Sequence, residues 1–250
     1  MAMLKKIIKN IIPHGVVNQY YKYKIKKKII ANNQIQTPNQ VIFNARCIGS
    51  YSQLNEDLII DGILHKEHGF YIDIGAHDPL SLSNTKRFYD KGWHGINIEP
   101  IPSLIGKFNE SRPRDINLNI GVGVDRSKLT FYELTYPSLS SFDKNAALYN
   151  AKKHHVKIEK EYEVEVMPLR EICQQYAKDK PIDFLSIDTE GYEMEVLTSN
   201  NWELYRPTLI IIEPGQNNNE IYDYLVGQSY QPIYRNGINA IFIDAKTISK

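Results

Sequence analysis

The feature that most constrains this chain is a rhythm of short apolar runs separated by helix-length segments, beginning at Phe70. Phe70-Tyr-Ile-Asp-Ile74 runs into Gly75, and Gly95-Ile-Asn-Ile98 into Glu99. Ile182-Asp-Phe-Leu-Ser-Ile187 ends at Asp188, and the run over 207–212 ends at Glu213. Between them, helical spacing falls over 83–91, 103–110, 169–177, 192–197 and 220–226, with Ser83 as N-cap and Gly92 as stop of the first. Strands that alternate with helices predict an α/β fold built on a doubly wound, mostly parallel sheet. Two closing runs, 231–234 and 240–243, flank Asn236-Gly237 and predict an antiparallel hairpin at one edge. A third strand is expected over 117–124, and a local hairpin starting at 129–134. The polar stretch 138–159 is weakly periodic and reads as a loop or mobile helix over the site.

In sheets of this kind ligands sit beyond the carboxyl ends of the strands, where strand order reverses. Those ends carry Asp73, Glu99, Asp188 and Glu213, a constellation that points to one site. The alternative for the first pair is that Asp73 caps a turn and Glu99 faces solvent.

At 250 residues the chain supports one sizeable core with additions. Its charge is unevenly placed: nine Lys and Arg but no acid precede Glu56, so residues 1–55 carry +9 and the remainder −8. Residues 1–50 therefore read as a basic arm and 51–250 as an acidic catalytic body. Leu4, Ile7, Ile8, Ile11 and Ile12 recur at helical spacing among lysines. Such a stripe could lie on an anionic membrane surface, pack on the body, form a homo-oligomer contact or guide phosphate-bearing acceptors. Cys47 and Cys173 lack metal-ligand spacing, and neither an 18-residue apolar run nor a secretory signal is present. The expected setting is the cytoplasm, with peripheral contact at the inner face of the membrane left open. An acidic body argues against a nucleic-acid partner, which needs a basic footprint. The 17 tyrosines would suit a sugar-binding cleft.

The loop Asp73-Ile-Gly75-Ala76-His77 holds a single glycine. A pyrophosphate-binding fingerprint would require three, which disfavours a nicotinamide-dependent oxidoreductase. S-adenosylmethionine carries no phosphate, and one glycine suffices for it. Glu99, 26 residues beyond Asp73, is placed to accept from both ribose hydroxyls.

Five motifs in order resemble the FkbM-type methyltransferases. They are Ser52-Gln-Leu-Asn-Glu-Asp57, Asp73-Ile-Gly-Ala-His77, Ser83-Asn-Thr85, Gly92-Trp-His-Gly-Ile-Asn-Ile-Glu-Pro100 and Ile187-Asp-Thr-Glu-Gly-Tyr-Glu193. The resemblance covers about residues 51–244. It implies a Rossmann-like class I methyltransferase fold with S-adenosylmethionine as donor. It further implies O-methylation of a sugar, such as a nucleotide-activated heptose or hexose or a surface-glycan component, or of another natural product. By the same resemblance Asp73, Gly75, Ala76 and His77 would border the methionine part of the donor. Glu99 would hold the ribose, Pro100 would pack beside the adenine, and Gln53 would reach into the donor site. Ser83 and Asn84 would contact donor or acceptor, and Ser140 and Ser141 would belong to a closing loop.

Methyl transfer to a hydroxyl needs an aligned displacement and removal of a proton. Asp188, Glu190 and Glu193 form a second acidic cluster beside Glu213. One reading makes Asp188 and Glu213 ligands for Mg²⁺ or Mn²⁺, although Pro214 stands where a third ligand would be expected. The other is metal-free catalysis with His77, Asp188 or Glu190 as acid–base groups; Asp188 would then also border the donor. Glu190 and Glu193 could equally serve only to enrich a helix N-terminus. His154-His155 reads as solvated loop. No Asn-Pro-Pro-aromatic motif follows the fourth strand, which favours oxygen over an amine as acceptor. A non-catalytic module that holds glycan or membrane is the remaining alternative class.

Overall fold

The structure, a computed structural model, describes residues 49–215 and 218–248. The basic arm and its expected helix over 4–12 lie outside the described residues, as does Cys47.

A helix, α1 (Glu56–Leu64), precedes β1 (Phe70–Ile74). Then come α2 (Lys86–Asp90), β2 (His94–Ile98), α3 (Pro102–Ser111), β3 (Ile116–Leu118) and β4 (Gly121–Val122). A second group follows: β5 (Ser127–Leu134), α4 (Lys144–His154), β6 (Ile158–Met167) and α5 (Leu169–Ile172). The chain returns through β7 (Phe184–Ile187), α6 (Glu193–Thr198), β8 (Leu209–Ile212) and α7 (Asn218–Gly227). It closes with β9 (Tyr230–Arg235), β10 (Ala240–Asp244) and α8 (Ala245–Ile248).

Seven strands form one sheet in the order β3-β2-β1-β7-β8-β10-β9. The first five are mutually parallel, while β10 runs antiparallel to both β8 and β9. This is the expected doubly wound sheet with its antiparallel edge. Every residue of β1, β7 and β8 is buried, which explains why their sequences are nearly continuous apolar runs. Their side chains still alternate between two cores. Phe70, Ile72, Ile74, Leu185, Ile187, Ile210 and Ile212 pack with Leu197, Trp202 and Leu225 on one face. Tyr71, Phe184, Leu209 and Ile211 pack with Ile60, Phe88 and Trp93 on the other. Strand order reverses between β1 and β7, so the crevice opens at their carboxyl ends.

Several local expectations need correction. The helix expected from Ser83 begins at Lys86, so Ser83 is not its N-cap. Its hydroxyl oxygen does accept the Lys86 amide at 3.2 Å, but it is shared with the buried Arg112. The single strand expected over 117–124 is divided: β3 joins the main sheet and β4 joins a second one. That three-stranded sheet, β4-β6-β5, replaces the local hairpin expected at 129–134. The polar stretch 138–159 holds a helix and the start of a strand. Asp143 caps α4 by accepting the amides of Asn145 (2.6 Å) and Ala146 (3.1 Å). Lys152, Lys153 and His154 occupy its last turn, where cations suit the helix dipole. Cys173 is buried as a free thiol. Among the described residues no helix is long and apolar enough to cross a membrane.

Candidate active site

A cleft of about 360 Å³ runs across the carboxyl ends of β2, β1, β7 and β8, roofed by the segment between β5 and β6. Its floor is fixed by the loop after β1. Gly75 takes φ 75°, and a Cβ there would meet the Asp188 carbonyl oxygen at 1.8 Å. Only glycine permits the β1 and β7 loops to approach so closely. The amides of Gly75 and Ala76 donate to the Ile98 carbonyl at 3.0 and 3.1 Å, fastening the same loop to β2.

At the β2 end, the Glu99 carboxylate is 4% exposed. One oxygen accepts the His77 amide and the other the Ile101 amide, both at 2.9 Å. Burial nevertheless pushes its pKa up to about 7. Pro100 and Phe131 line the cleft beside it. His77 follows at φ 53° with its Nδ1 buried and unpartnered. Burial lowers its pKa, so its imidazole is neutral near pH 7.

At the other end stand Asp188, Glu190 and Glu213. The Asp188 amide is held by the Ile74 carbonyl at 3.0 Å, whereas its side-chain Oδ1 is buried without a partner. Burial first, then the charges of Glu213 and Glu193, raise its pKa well above the usual carboxylate range. Burial and the charge of Asp188 raise Glu190 to about 8. Burial and the charges of Glu190 and Glu193 raise Glu213 to about 7.

Gln53, Gly75, His77, Glu99, Pro100, Ser140, Asp188, Glu190 and Glu213 all border this cleft. His154, read from sequence as solvated loop, is instead the last residue of α4 and also borders the cleft. Asp73, Ala76, Ser83, Asn84, Ser141 and Glu193 do not line it. Asp73 points to the helical face carrying Tyr71, where it accepts the Thr85 hydroxyl at 2.6 Å. Thr85 in turn accepts from Arg112 at 2.7 Å. Arg112, wholly buried, also donates to Pro79 and Ser83. Asn84 donates to Ser186 at 3.2 Å. The Ser83-Asn84-Thr85 motif thus braces β1 and β7 from behind the cleft wall. Ala76 packs with Ile105 and Phe108. Ser141 is buried in a bridge to Tyr132. Glu193 accepts the Thr189 amide and hydroxyl, both at 3.0 Å, and closes the loop before α6. The Ser52–Asp57 motif is likewise a brace: Asp57 accepts from the Ser50 and Ser52 hydroxyls and the Tyr51 amide. It thereby fixes the turn that carries Gln53.

Sequence reasoning missed Phe131, Phe142, Asn150, Lys153 and Thr189, which also line the cleft. Four of these come from the segment over 131–153. One available signal was the alternation of Ile158, Lys160, Tyr162, Val164 and Val166 with glutamates, which marks β6 and hence the second sheet. Asp188 and Glu213 share the cleft. Yet among the described residues no group of three or more His, Cys, Asp or Glu side chains is arranged to hold a metal ion.

The cleft suits S-adenosylmethionine. It offers an anchored acid at the β2 end, a single-glycine loop, and two buried polar atoms, on His77 and Asp188, without partners in the protein. Strand order and site together define a class I S-adenosylmethionine-dependent methyltransferase. The chain matches the methyltransferase FkbM domain over residues 73–232, well over half its length, and belongs to that family. Among solved structures it is similar to a Methanococcus jannaschii fibrillarin pre-rRNA processing protein. That match has 13% identity and TM-score 0.42, covering 78% of this chain and 75% of the other. It is also similar to an O-methyltransferase from Bacillus cereus in complex with SAH. There the identity is 14% and the TM-score 0.34, with 97% of this chain and 96% of the other covered. Both scores fall below 0.5, and the assignment stands on strand order, site and family. No curated protein matches the chain.

Proposed function

We propose that the enzyme methylates a hydroxyl oxygen of a sugar, on a nucleotide-activated sugar or a surface-glycan component such as a heptose or hexose. The observation that carries this reading is the unpartnered, buried Asp188 Oδ1 beside Glu190 and Glu213. A hydroxyl must lose its proton as it becomes a nucleophile, and a carboxyl poised near neutral pH is suited to accept it. Burial and like charge raise Glu190 to about 8 and Glu213 to about 7, and lift Asp188 well above the usual carboxylate range.

S-adenosylmethionine, when bound, supplies an electrophilic methyl group on a sulfonium. Glu99 would hold its ribose, Pro100 and Phe131 would flank its adenine, and Gly75 and His77 would border its methionine part. Gln53 would close over the donor from the turn before α1. The neutral His77 ring and the Asp188 carboxyl, which share this cleft, would be the acid–base groups available to the transfer. Alignment of donor and hydroxyl can supply about 7–11 kcal/mol of the barrier without other help. Asn150, Thr189 and Glu190 add polar groups that a polyol can bond.

The test is incubation with S-adenosylmethionine and a panel of free, glycosidic and nucleotide-activated sugars, read by mass spectrometry with and without EDTA. A sugar product heavier by one CH₂, unaffected by EDTA, is the expected result. Loss of product with EDTA would instead assign Asp188 and Glu213 to a metal. Turnover confined to non-sugar hydroxyl compounds, with S-adenosylhomocysteine still bound, would overturn the sugar assignment.

A further inference from the structure

The turn before α1 is bonded to segments on two sides of the cleft. On one side the Tyr51 carbonyl accepts the amide of Ser83, the residue after Leu82, at 3.0 Å. On the other stands the β9–β10 hairpin, whose tip lies beside Glu213 because Ala240 pairs with Ile212. Gln53 of the turn, Leu82 and Ile238 of the hairpin all line the cleft. Asn236 shapes the hairpin tip: its Oδ1 accepts the amides of Ile238 (3.0 Å) and Asn239 (2.7 Å). A single carboxylate links turn and tip. Glu56, wholly buried, accepts the side-chain amides of Asn236 and Asn239 on its Oε1, at 2.6 and 2.9 Å. Its Oε2 accepts the amide of Leu54, the residue after Gln53, at 2.7 Å.

An acid in the first turn of a helix favours the helix dipole from an exposed position, without burial. A buried carboxylate is destabilising unless its oxygens are bonded. Here the bonds reach Asn236, 180 positions along the chain. We infer that Glu56 is a positioning residue that makes the β9–β10 hairpin part of the substrate site: its carboxylate clasps the hairpin tip to the turn before α1 and holds Gln53 and Ile238 as one wall of the cleft. The inference rests on reading this cleft as the methyl-transfer site. The acid is specific to the task. A glutamine there would turn its NH₂ group toward the Leu54 amide or toward Asn236, whose own oxygen is already engaged by two backbone amides. Either way a buried donor loses its acceptor, and the turn is free to shift against the hairpin.

The test needs no acceptor. S-adenosylhomocysteine binding to the full chain is measured by calorimetry in a double-mutant cycle. Gln53→Ala should weaken binding roughly 10-fold, and Glu56→Gln by a similar factor. The two together should lose little more than either alone, because Glu56 acts through Gln53. A merely structural role would lower the melting temperature and leave the affinity of the folded protein unmoved, or would multiply its loss onto that of Gln53→Ala. Either result overturns the inference. If Glu56→Gln does not fold, Asn239→Ala removes one of the three bonds and carries the same cycle, with a loss of about 2–5-fold. A parent chain that binds no S-adenosylhomocysteine would overturn the reading of the cleft, and the inference with it. Binding in the parent with unmoved or multiplied losses in the variants would overturn the clasp alone.

Discussion

The two ends of the cleft are built on opposite principles. At the β2 end, Glu99 is buried with both oxygens bonded to backbone amides, at 2.9 Å each. At the β7–β8 end, Asp188 keeps an oxygen with no partner, and Glu213 and Glu193 crowd it with like charge. A fully bonded acid has one orientation and suits a ligand part that never changes, as the ribose of a donor does. Glu99 shares a raised pKa of about 7, so what sets the acceptor end apart is an unbonded carboxyl oxygen that awaits a partner brought by the substrate. The walls differ in the same way. The loop after β1 is locked by Gly75 against the Asp188 backbone, whereas the acceptor end is completed by α4 and the turn before it.

The largest effect is expected where the unbonded oxygen sits. Asp188→Asn keeps the shape and removes the base, and turnover should fall by roughly 10²–10⁴-fold. S-adenosylhomocysteine affinity should change far less, by calorimetry. Equal losses in turnover and donor binding would break the comparison, because Asp188 would then belong to the donor end. A smaller effect of the opposite kind is expected at Glu99. In Glu99→Gln one carboxylate oxygen becomes an NH₂ group, and whichever way the amide turns it confronts a backbone N–H. Donor affinity should drop by about 10–100-fold, with turnover largely restored at saturating donor. Failure of saturation to restore it would mean that Glu99 takes part in the transfer step itself.

These roles were unevenly legible in the sequence. Strands β1, β2, β7 and β8 could be read because their central position makes them apolar without interruption, and the acids that stop them mark the crevice. The second sheet could not be read so easily. β4 has two residues, and β6 pairs with β5 across the whole of α4, so no local pattern joins them. Its glutamates alternate with half-buried residues and made the segment look merely polar. Motifs were visible where their tasks were not. Asp73 and Thr85 stand in recognisable patterns. Yet a strand alternates faces, so Asp73 follows Tyr71 toward α1 and α2, while Ile74 and the loop residues Gly75 and His77 reach the cleft. Nothing in the sequence marks the lone Arg112 as the buried cation that joins Ser83, Thr85 and Pro79.

The last predicted effect sharpens the comparison through stability. Glu213 has its folded-state pKa raised from an ordinary 4.5 to about 7 by burial and by Glu190 and Glu193. Between those values the folded chain holds a proton that the unfolded chain releases, so stability falls as pH rises through that window and levels off above it. A glutamine has no such proton to lose and no charge to repel its neighbours. Glu213→Gln should therefore match the parent near pH 4.5 and exceed it by about 3 kcal/mol at pH 8, measured by urea unfolding in the absence of donor. Glu99→Gln should do the reverse at pH 8, because the carboxylate it removes is fully bonded and the amide cannot replace it. A gain in both variants would mean that the Glu99 end, despite its two backbone bonds, stores the same electrostatic strain as the acceptor end.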